Sequence, residues 1–332
     1  MQNPLVSILI PFKNTASFLD ECMNSILNQT YKNWELIIVD DHSSDGSYSI
    51  VDSFAENDAR IKLFKNSGKG IIDALRLAFL KSSGDFITRM DSDDLMRPEK
   101  IETLVNNLIK HGKHHVAVGL VNYFSEEGIK SGYKSYEVWL NTLTKTGTNY
   151  TEIYKECVIP SPCWMVYRED LIACDGFNPN RYPEDYDLAF RFDQHNFKCI
   201  PCDTVLHDYN TRTSRTHVHY AENHFIDLKL HYFLELDYNT SKTLVLWGAG
   251  NKGKKIAKML IEKDIDFEWI CNNPKKIGRD IYAKILQPFS FLKQIKNSQS
   301  IITVANKMAQ KEIKGYLDNL NLLTIKDYVF FC

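Results

Sequence analysis

Residues 84–94 read GDFITRMDSDD, an apolar run that ends on carboxylates. The apolar part, Asp85–Met90, predicts a short buried strand that runs directly into Asp91, Asp93 and Asp94. Similar apolar runs occur three times upstream, separated by segments with a helical spacing of apolar residues: VSILIPF (6–12), ELIIV (35–39) and IKLF (61–64). Strands that alternate with helices over short links predict an α/β fold with a parallel sheet.

The alternation loosens downstream of about residue 116. Three further elements are predicted there: strands over Val116–Phe124 and Trp164–Tyr167, and a helix that begins at Glu184. A helix over about 221–236 precedes the polar segment DYNTSK (237–242), which is typical of a linker. A new βαβ pattern begins at Thr243. The sequence therefore predicts two domains, 1–236 and 243–332.

Composition restricts the class of protein. The net charge of −2 over 332 residues argues against a nucleic-acid partner. No apolar run is long enough to span a membrane, and residues 1–14 lack the basic start of a signal peptide. The eight cysteines form no framework, and the single C-x-x-C of Cys199 and Cys202 cannot alone complete a zinc site. We expect a cytoplasmic protein, with peripheral contact at the inner face of the membrane left open.

Adjacent aspartates also follow the second predicted strand. Asp40 and Asp41 open the segment DDHSSDG. Ligands of open parallel sheets bind beyond the carboxyl ends of the strands, where a carboxylate can accept hydrogen bonds from a base or a ribose hydroxyl. Helix capping is the alternative. Because capping does not account for two adjacent aspartates at a strand end, we expect ligand binding here.

The carboxylates of Asp91, Asp93 and Asp94 lie close enough in the chain to repel one another strongly. Alternate residues of an extended segment point the same way, so Asp91 and Asp93 face one side. Their hard oxygens suit Mg²⁺ or Mn²⁺, ions that usually bridge to phosphates. The alternative is a solvated acidic turn in which Asp94 caps the next helix. Delivery of the cluster by an apolar strand favours a metal site.

A third acidic pair, Glu184 and Asp185, follows Arg181-Tyr182-Pro183 at the predicted start of a helix. The helix dipole stabilises an ionised carboxylate at this position, so the pair could supply a general base. Capping accounts for the pair equally well on local grounds. Both interpretations stay open at the level of this segment alone.

In order and spacing, these segments resemble family 2 inverting glycosyltransferases with a GT-A fold, over about residues 5–216. The resemblance rests on four motifs: SILIP (7–11) with Asn14; Asp40-Asp41 with Ser43, Asp45 and Gly46; GDFI (84–87) running into DSDD (91–94); and Gly176-Phe177 followed by Glu184-Asp185. Residues 70–98 are especially similar to bacterial enzymes that build surface polysaccharides and lipooligosaccharides. The resemblance implies a mixed sheet flanked by helices.

The resemblance also implies roles for individual residues. Asp185 would be the catalytic base, and the metal ligands would be Asp93, Asp91 and, as a third ligand, His207. Asp41 would form a hydrogen bond with the nucleotide base, and Asp91 would lie near the ribose. The implied donor-binding residues are Pro11, Asn14, Asp40, Asp41, Arg89, Asp91 and Arg212, with Arg215 as an alternative to Arg212 for the phosphate contact. The chain departs from the family pattern at Asn210, where an arginine is common.

The implied reaction moves a sugar from a nucleotide-diphosphate sugar, expected to be UDP-linked, onto a glycan or lipid-linked acceptor. Mn²⁺ or Mg²⁺ would neutralise the departing diphosphate. Asp185 would take the proton of the acceptor hydroxyl during the attack. A single displacement would then invert the anomeric centre.

Residues 244–253 read LVLWGAGNKG, a strand followed by G-x-G-x-x-G and a predicted helix. This context suits a phosphate-binding turn, and it resembles small Rossmann-like modules attached to sugar-processing enzymes. The usual acid at the end of the next strand is missing, because that strand ends on Asn272 and Asn273. Ligand binding and a structural or docking role both stay open.

Other classes of protein use similar elements. A sugar nucleotidyltransferase also combines an α/β sheet with paired acids, but it needs a glycine-rich basic loop where this chain has PFKN (11–14). An NAD(P)-binding sugar-modifying protein would act through the C-terminal domain. A non-catalytic sugar-binding protein is disfavoured by the presence of both Asp93 and Asp185.

Overall fold

The computed structural model describes residues 3–125, 128–211 and 222–332. Contacts along the chain divide it into two compact units. The first unit comprises the described residues of 1–150 and 158–217, and the second unit comprises those of 151–157 and 218–332.

The first unit is built around a mixed sheet. The described strands of the first unit are β1 (Val6–Phe12), β2 (Trp34–Asp40), β3 (Ile61–Lys65), β4 (Phe86–Arg89), β5 (Leu95–Met96), β6 (His115–Val118), β7 (Leu120–Phe124), β8 (Trp164–Tyr167), β9 (Lys198–Ile200) and β10 (Val205–Asn210). The main sheet has the order β3-β2-β1-β4-β8-β6-β9, and β8 runs antiparallel to both of its neighbours. Every residue of β1 and β2 is buried, as expected for strands covered on both faces.

Amphipathic helices cover this sheet. They are α1 (Ala16–Leu27), α2 (Ser47–Asn57), α3 (Ile71–Lys81), α4 (Lys100–His111), α5 (Ser131–Thr146), α6 (Arg168–Ala173) and α7 (Glu184–Gln194). In α1 the buried residues recur at helical spacing, so one face of the helix packs on the core: Leu19, Cys22, Met23 and Ile26. The predicted positions of α1, α2 and α3 follow from the same periodicity.

A second sheet of the first unit has the order β5-β10-β7. The sequence predicted one strand over Val116–Phe124, but the structure has two, with β6 in the main sheet and β7 in the small sheet. The chain changes sheets at Gly119, where an added Cβ would lie 2.6 Å from Leu206 Cδ1. The prediction of one strand was wrong because an apolar run carries no signal for a change of sheet.

Glu35 joins the amino ends of neighbouring strands in the main sheet. Its carboxylate accepts hydrogen bonds from the Ser7 hydroxyl at 2.7 Å, the Lys62 ammonium at 2.7 Å and the Ser83 hydroxyl at 3.0 Å. The backbone N–H of Gly84 donates to the same carboxylate at 3.2 Å. An added Cβ on Gly84 would lie 2.6 Å from the Ser7 nitrogen. Ser7 and Gly84 therefore stabilise the sheet at the end opposite to the acidic loops.

The second unit contains a parallel sheet of order β15-β12-β11-β16-β17. Its described elements are α8 (Glu222–Tyr232), β11 (Thr243–Trp247), α9 (Asn251–Glu262), β12 (Glu268–Cys271), β13 (Asp280–Ile281), β14 (Lys284–Ile285), β15 (Gln287–Pro288), β16 (Ser298–Ile302), α10 (Lys307–Asp318) and β17 (Tyr328–Phe330). The order β11-α9-β12 agrees with the βαβ pattern predicted from Thr243. Within the described ranges, no helix is both long and apolar enough to cross a membrane.

Helix α8 belongs to the second unit, whereas the sequence analysis placed it in the first domain. The buried ammonium of Lys229 donates to the carbonyl oxygens of Lys155 at 2.7 Å and Phe331 at 3.3 Å. The Tyr154 hydroxyl donates to the Asp237 carboxylate at 2.5 Å. These bonds tie α8 and residues 151–157 to the C-terminal strands, so the division of contacts does not follow the predicted boundary at 236.

The segment DYNTSK (237–242) is also part of the second unit. The Asn239 backbone N–H donates to Gln299 Oε1 at 3.0 Å, and Lys242 Nζ donates to Asp327 Oδ1 at 2.6 Å. The polar composition of this segment predicts a linker, whereas in the structure its polar groups bond to β16 and to the residues before β17.

Candidate active site

The acidic segments follow neighbouring strands at one edge of the main sheet. Strand β1 lies between β2 and β4, so Asp40-Asp41 and the segment 91–94 lie on either side of the end of β1. Two strand spacings of about 4.8 Å place them roughly 10 Å apart. This is the sheet edge at which α/β proteins bind ligands.

Arg89, the last residue of β4, joins two of the acidic segments. Its buried guanidinium donates from Nη2 to Asp91 Oδ1 at 2.6 Å and from Nη1 to Glu184 Oε1 at 2.9 Å. Burial by itself would lower the pKa of Arg89, but the charges of Asp91, Glu184 and Asp185 outweigh this effect and raise the pKa. The permanently charged guanidinium therefore holds the end of β4 and the start of α7 in one site.

Glu184 and Asp185 form the first turn of α7. Glu184 is buried, and burial together with the charge of Asp185 raises the pKa of Glu184 to about 7, although Arg89 opposes the shift. Burial also raises the pKa of Asp185, again against the charge of Arg89. A carboxylate with a raised pKa is a stronger base, so this pair suits general base catalysis.

Asp94 is turned away from the site and connects the acidic loop to β10. Its Oδ1 accepts a hydrogen bond from the Asn210 N–H at 2.8 Å, and its Oδ2 lies 3.1 Å from His207 Nε2. His207 Nδ1 lies 3.1 Å from Lys100 Nζ, and burial lowers the pKa of that ammonium. These buried contacts position the loop that carries Asp93.

The structure places His207 of β10 against the acidic loop that carries the predicted metal ligands. Its side chain is fully buried, and its two ring nitrogens face Asp94 and Lys100. Among the described residues, no group of three or more His, Cys, Asp and Glu side chains is arranged to hold a metal ion. The role of His207 as the third metal ligand stays a prediction. Asp91 and Asp93 stay the two predicted carboxylate ligands of the metal ion.

Asp41 organises the loop after β3. Its Oδ1 accepts hydrogen bonds from Asn66 Nδ2 at 2.7 Å and from the Gly70 N–H at 2.9 Å. Its Oδ2 lies 3.7 Å from Lys13 Nζ. Asp41 thus shapes the loop 66–70 beside the strand ends, and its contact with a nucleotide base stays a prediction.

Asn14 and Asp40 connect the loops that follow β1 and β2. Asn14 Oδ1 accepts a hydrogen bond from the Ser44 N–H at 2.8 Å, and the Asn14 N–H donates to Ser43 Oγ at 3.1 Å. Asp40 Oδ1 accepts from the Ser43 N–H at 3.0 Å. Both loops are therefore tied to each other at the edge near Pro11, the last residue but one of β1. Donor binding by Asn14, Asp40 and Pro11 stays a prediction.

Two predicted phosphate contacts, Arg212 and Arg215, lie outside the described residues. Sequence analysis missed Lys100 and Asn66, which position the acidic loop and Asp41. Lys100 had a usable signal, since it falls on the buried stripe of α4 with Ile101 and Leu104, where a lysine needs a polar partner.

The glycine turn of the second unit is closely packed. Gly248 has φ +116°, and an added Cβ on Gly253 would lie 2.1 Å from the Gly248 oxygen. Asn272, at the position of the usual acid, accepts a hydrogen bond from Trp247 Nε1 at 2.7 Å. Both glycines are thus required by the packing of the turn itself, and a ligand for it stays a prediction.

The fold and the site together define a class of protein. A mixed sheet with acids beyond β2 and β4 and a carboxylate pair at the start of α7 is the arrangement expected of a GT-A glycosyltransferase. Residues 7–174 match the family model described as glycosyl transferase family 2, and the chain belongs to this family.

Relatives of this chain carry glycosyltransferase names. An uncharacterized glycosyltransferase of Haemophilus influenzae is 33% identical over 195 residues, which are 56% of this chain and 59% of that protein. Glycosyltransferase GlyG of Streptococcus pneumoniae is 36% identical over 125 residues, which are 37% of this chain and 42% of that protein. The chain thus spans about half the length of these two relatives.

A further relative is matched over most of its length. The Escherichia coli protein UDP-Glc:alpha-D-GlcNAc-diphosphoundecaprenol beta-1,3-glucosyltransferase WfgD is 30% identical over 237 residues, which are 69% of this chain and 84% of that protein. This match supports the same family membership.

Solved structures share the fold at low sequence identity. Staphylococcus aureus TarS (residues 1-349) in complex with UDP-GlcNAc has a TM-score of 0.56 at 18% identity, covering 77% of this chain and 71% of that chain. Mannosyltransferase PcManGT from Pyrobaculum calidifontis, in complex with GDP-Man and Mn²⁺, has a TM-score of 0.53 at 19% identity, covering 71% and 64%. These likenesses confirm the predicted GT-A fold.

Proposed function

We propose that this chain is an inverting glycosyltransferase that moves a sugar from a UDP-linked donor onto a glycan or lipid-linked acceptor in surface polysaccharide biosynthesis. Membership of glycosyl transferase family 2 supports glycosyl transfer. The name of WfgD specifies a UDP-Glc donor and a diphosphoundecaprenol-linked acceptor. The TarS complex with UDP-GlcNAc supports the same class of donor.

The observation that carries this proposal is the position of Arg89. It bonds to Asp91 at 2.6 Å and to Glu184 at 2.9 Å. The carboxylates proposed for the donor side and those proposed for the acceptor side therefore share one guanidinium, although they are far apart in the chain. A glycosyl transfer needs both sets within reach of one anomeric carbon.

Asp91 and Asp93 are the residues that would hold Mn²⁺ or Mg²⁺. Such ions are commonly bound by one or two protein carboxylates, with phosphate oxygens and water completing the shell. The local charge fits a cation, because burial and the negative charges of Asp94, Asp93 and Asp91 raise the pKa of the nearby Cys22 thiol. When bound, the ion would stabilise the charge that develops on the departing diphosphate.

Asp185 is the proposed base. As a carboxylate with a raised pKa, it takes the proton of the acceptor hydroxyl while that oxygen attacks the anomeric carbon. Arg89 opposes the rise in the pKa, which favours the ionised form that a base needs. Attack from the face opposite to the leaving diphosphate inverts the anomeric centre in one displacement.

The test combines a panel of nucleotide sugars with one substitution. Wild-type protein should hydrolyse at least one UDP-sugar in the presence of Mn²⁺, and a chelator should stop the reaction. Asp93→Ala should abolish this turnover and weaken the Mn²⁺-dependent binding of UDP in calorimetry. Asp52→Asn, on an exposed position of α2, is the matched control and should change neither quantity.

Two results would contradict the proposal. Undiminished Mn²⁺-dependent UDP binding by Asp93→Ala would remove Asp93 from the metal site. A wild-type protein that turns over no nucleotide sugar under any metal condition would refute glycosyl transfer itself.

A further inference from the structure

A group of aromatic side chains lies beside the small sheet. We call it the aromatic patch, and it consists of Tyr123 of β7, Tyr209 of β10, and Tyr133, Tyr136 and Trp139 of α5. Ring centroids are 4.7 Å apart for Tyr123–Tyr209, 6.0 Å for Tyr123–Tyr133 and 5.4 Å for Tyr136–Trp139. Tyr123 is buried, whereas the other four residues are half-buried and reach the surface.

Helix α5 is attached firmly to the edge of the small sheet. Glu137 Oε2 accepts a hydrogen bond from the Tyr123 N–H at 2.8 Å. The Asn141 side chain accepts from the Val121 N–H at 3.0 Å and donates to the Val121 carbonyl at 2.8 Å. These bonds satisfy strand-edge groups that would otherwise need another strand. The rings on α5, spaced three residues apart, are therefore held in place as a rigid surface.

The aromatic patch is continuous with the proposed active site. Tyr209 directly precedes Asn210, whose N–H donates to Asp94 at 2.8 Å. Strand β10 also pairs with β5, the strand that follows the acidic loop, with Asp208 opposite Leu95. At a strand spacing of about 4.8 Å, the patch begins within roughly 10 Å of the acidic loop. The ring centroids of Tyr123 and Tyr136 are 6.2 Å apart, so Tyr123 connects Tyr209 to the rings on α5.

We propose that the aromatic patch is a subsite for a pyranose acceptor, which would stack a C–H face on the rings of Tyr136 and Trp139. This inference rests on the proposed glycosyltransferase function. The face of an aromatic ring is electron-rich and attracts polarised C–H groups, whereas a polyol phosphate has no comparable apolar face. Ligand sites typically combine aromatic walls with a few polar groups.

The experiment measures two quantities on the full chain. The first is Mn²⁺-dependent hydrolysis of the UDP-sugar donor by water. The second is transfer to methyl β-glucopyranoside, methyl β-galactopyranoside and chitotriose, with glycerol 3-phosphate as the polyol-phosphate probe. In the wild type, at least one pyranose probe should accept the sugar and glycerol 3-phosphate should not.

Substitutions at Trp139 separate stacking from packing. Trp139→Leu keeps an apolar side chain without a ring and should raise the KM for the pyranose by about two- to tenfold, the range of one aromatic contact. Trp139→Phe keeps a ring and should restore most of the affinity. Phe54→Ala, at a half-buried aromatic position of α2, is the control and should leave the KM for the pyranose unchanged.

The two assays distinguish the two proposals. Donor hydrolysis should be the same in the wild type and in Phe54→Ala, and its absence from the wild type would refute the proposed function. If the wild type hydrolyses the donor, three outcomes would show that the patch serves packing alone. These are an unchanged KM in Trp139→Leu, equal behaviour of Trp139→Phe and Trp139→Leu, and no transfer to any pyranose probe. Preferred transfer to glycerol 3-phosphate would also overturn the inference.

Discussion

Glu35 and Glu184 are both buried glutamates of the first unit, and they lie at opposite ends of the main sheet. At the amino ends of the strands, burial favours a raised pKa for Glu35, but hydrogen bonds from Lys62, Ser7 and Ser83 lower the pKa to about 2. At the carboxyl end, burial and the charge of Asp185 raise the pKa of Glu184 to about 7.

The difference shows that burial alone does not set the charge of a carboxyl group in this protein. Glu35 accepts hydrogen bonds from four residues, so its negative charge is well compensated and its role is structural. Glu184 receives a hydrogen bond from Arg89, which also serves Asp91, and it lies beside a second carboxylate. Incomplete compensation of a carboxylate's negative charge is typical of catalytic sites, where a proton has to move.

The largest effect is expected from removing the guanidinium of Arg89 at the carboxyl end of the strands. Arg89→Met would leave Asp91 and Glu184 without the guanidinium, and breaking a buried ion pair in this way costs about 3–5 kcal/mol. Urea denaturation of the wild type and the variant measures the loss. Arg89→Lys should retain part of the stability, because it keeps the charge but loses the forked geometry. A change below about 1 kcal/mol in Arg89→Met would show that the guanidinium is not needed to hold the site.

The second prediction concerns the base. Asp185→Asn should keep the fold and the affinity for UDP but reduce turnover by about 10² or more, which is about 2.7 kcal/mol in the barrier. Steady-state kinetics of donor turnover and transfer test this. Glu184→Gln is the paired variant. If it loses more than 10²-fold while Asp185→Asn stays within a few-fold of the wild type, Glu184 is the base.

The third prediction concerns the structural end of the sheet. Because the folded pKa of Glu35 is below its ordinary 4.5, its ionised form stabilises the fold above pH 4.5, and this stability is lost as the pH falls towards 2. Glu35→Gln should therefore cost on the order of 2 kcal/mol at pH 7 and progressively less below pH 4.5. Urea midpoints measured from pH 7 to pH 3 give the trend. Glu56→Gln, at an exposed position of α2, should show no such dependence.

The last prediction is a pH dependence of opposite direction at Glu184. Its folded pKa of about 7 lies above its ordinary 4.5, so its stabilising contribution is complete below pH 4.5 and is lost as the pH rises through 7. The stability of the wild type relative to Glu184→Gln should thus fall progressively as the pH rises from 4.5 to 7.5. Equal slopes for the Glu35 and Glu184 variants would contradict the comparison between the two ends of the sheet.

The sequence by itself determined the first four strands of the main sheet, β1 to β4, and the end at which its acids lie. The apolar runs at 6–12 and 35–39 were predicted as strands and appear as β1 and β2. The ordered motifs indicated the family and the GT-A fold, both of which the comparisons confirm. These features are accessible from sequence because the periodicity of apolar residues and the residues that end a strand are local properties of the chain.

Only the tertiary structure decided which partner each polar group has. Arg89 bonds to Glu184, His207 lies between Asp94 and Lys100, and α8 joins the second unit. The change of sheet at Gly119 was equally invisible in the sequence. The periodicity of apolar residues predicts that a side chain is buried, but it does not predict which residues it contacts. Residues about a hundred positions apart become neighbours only through the order of the strands and the packing of helices on them.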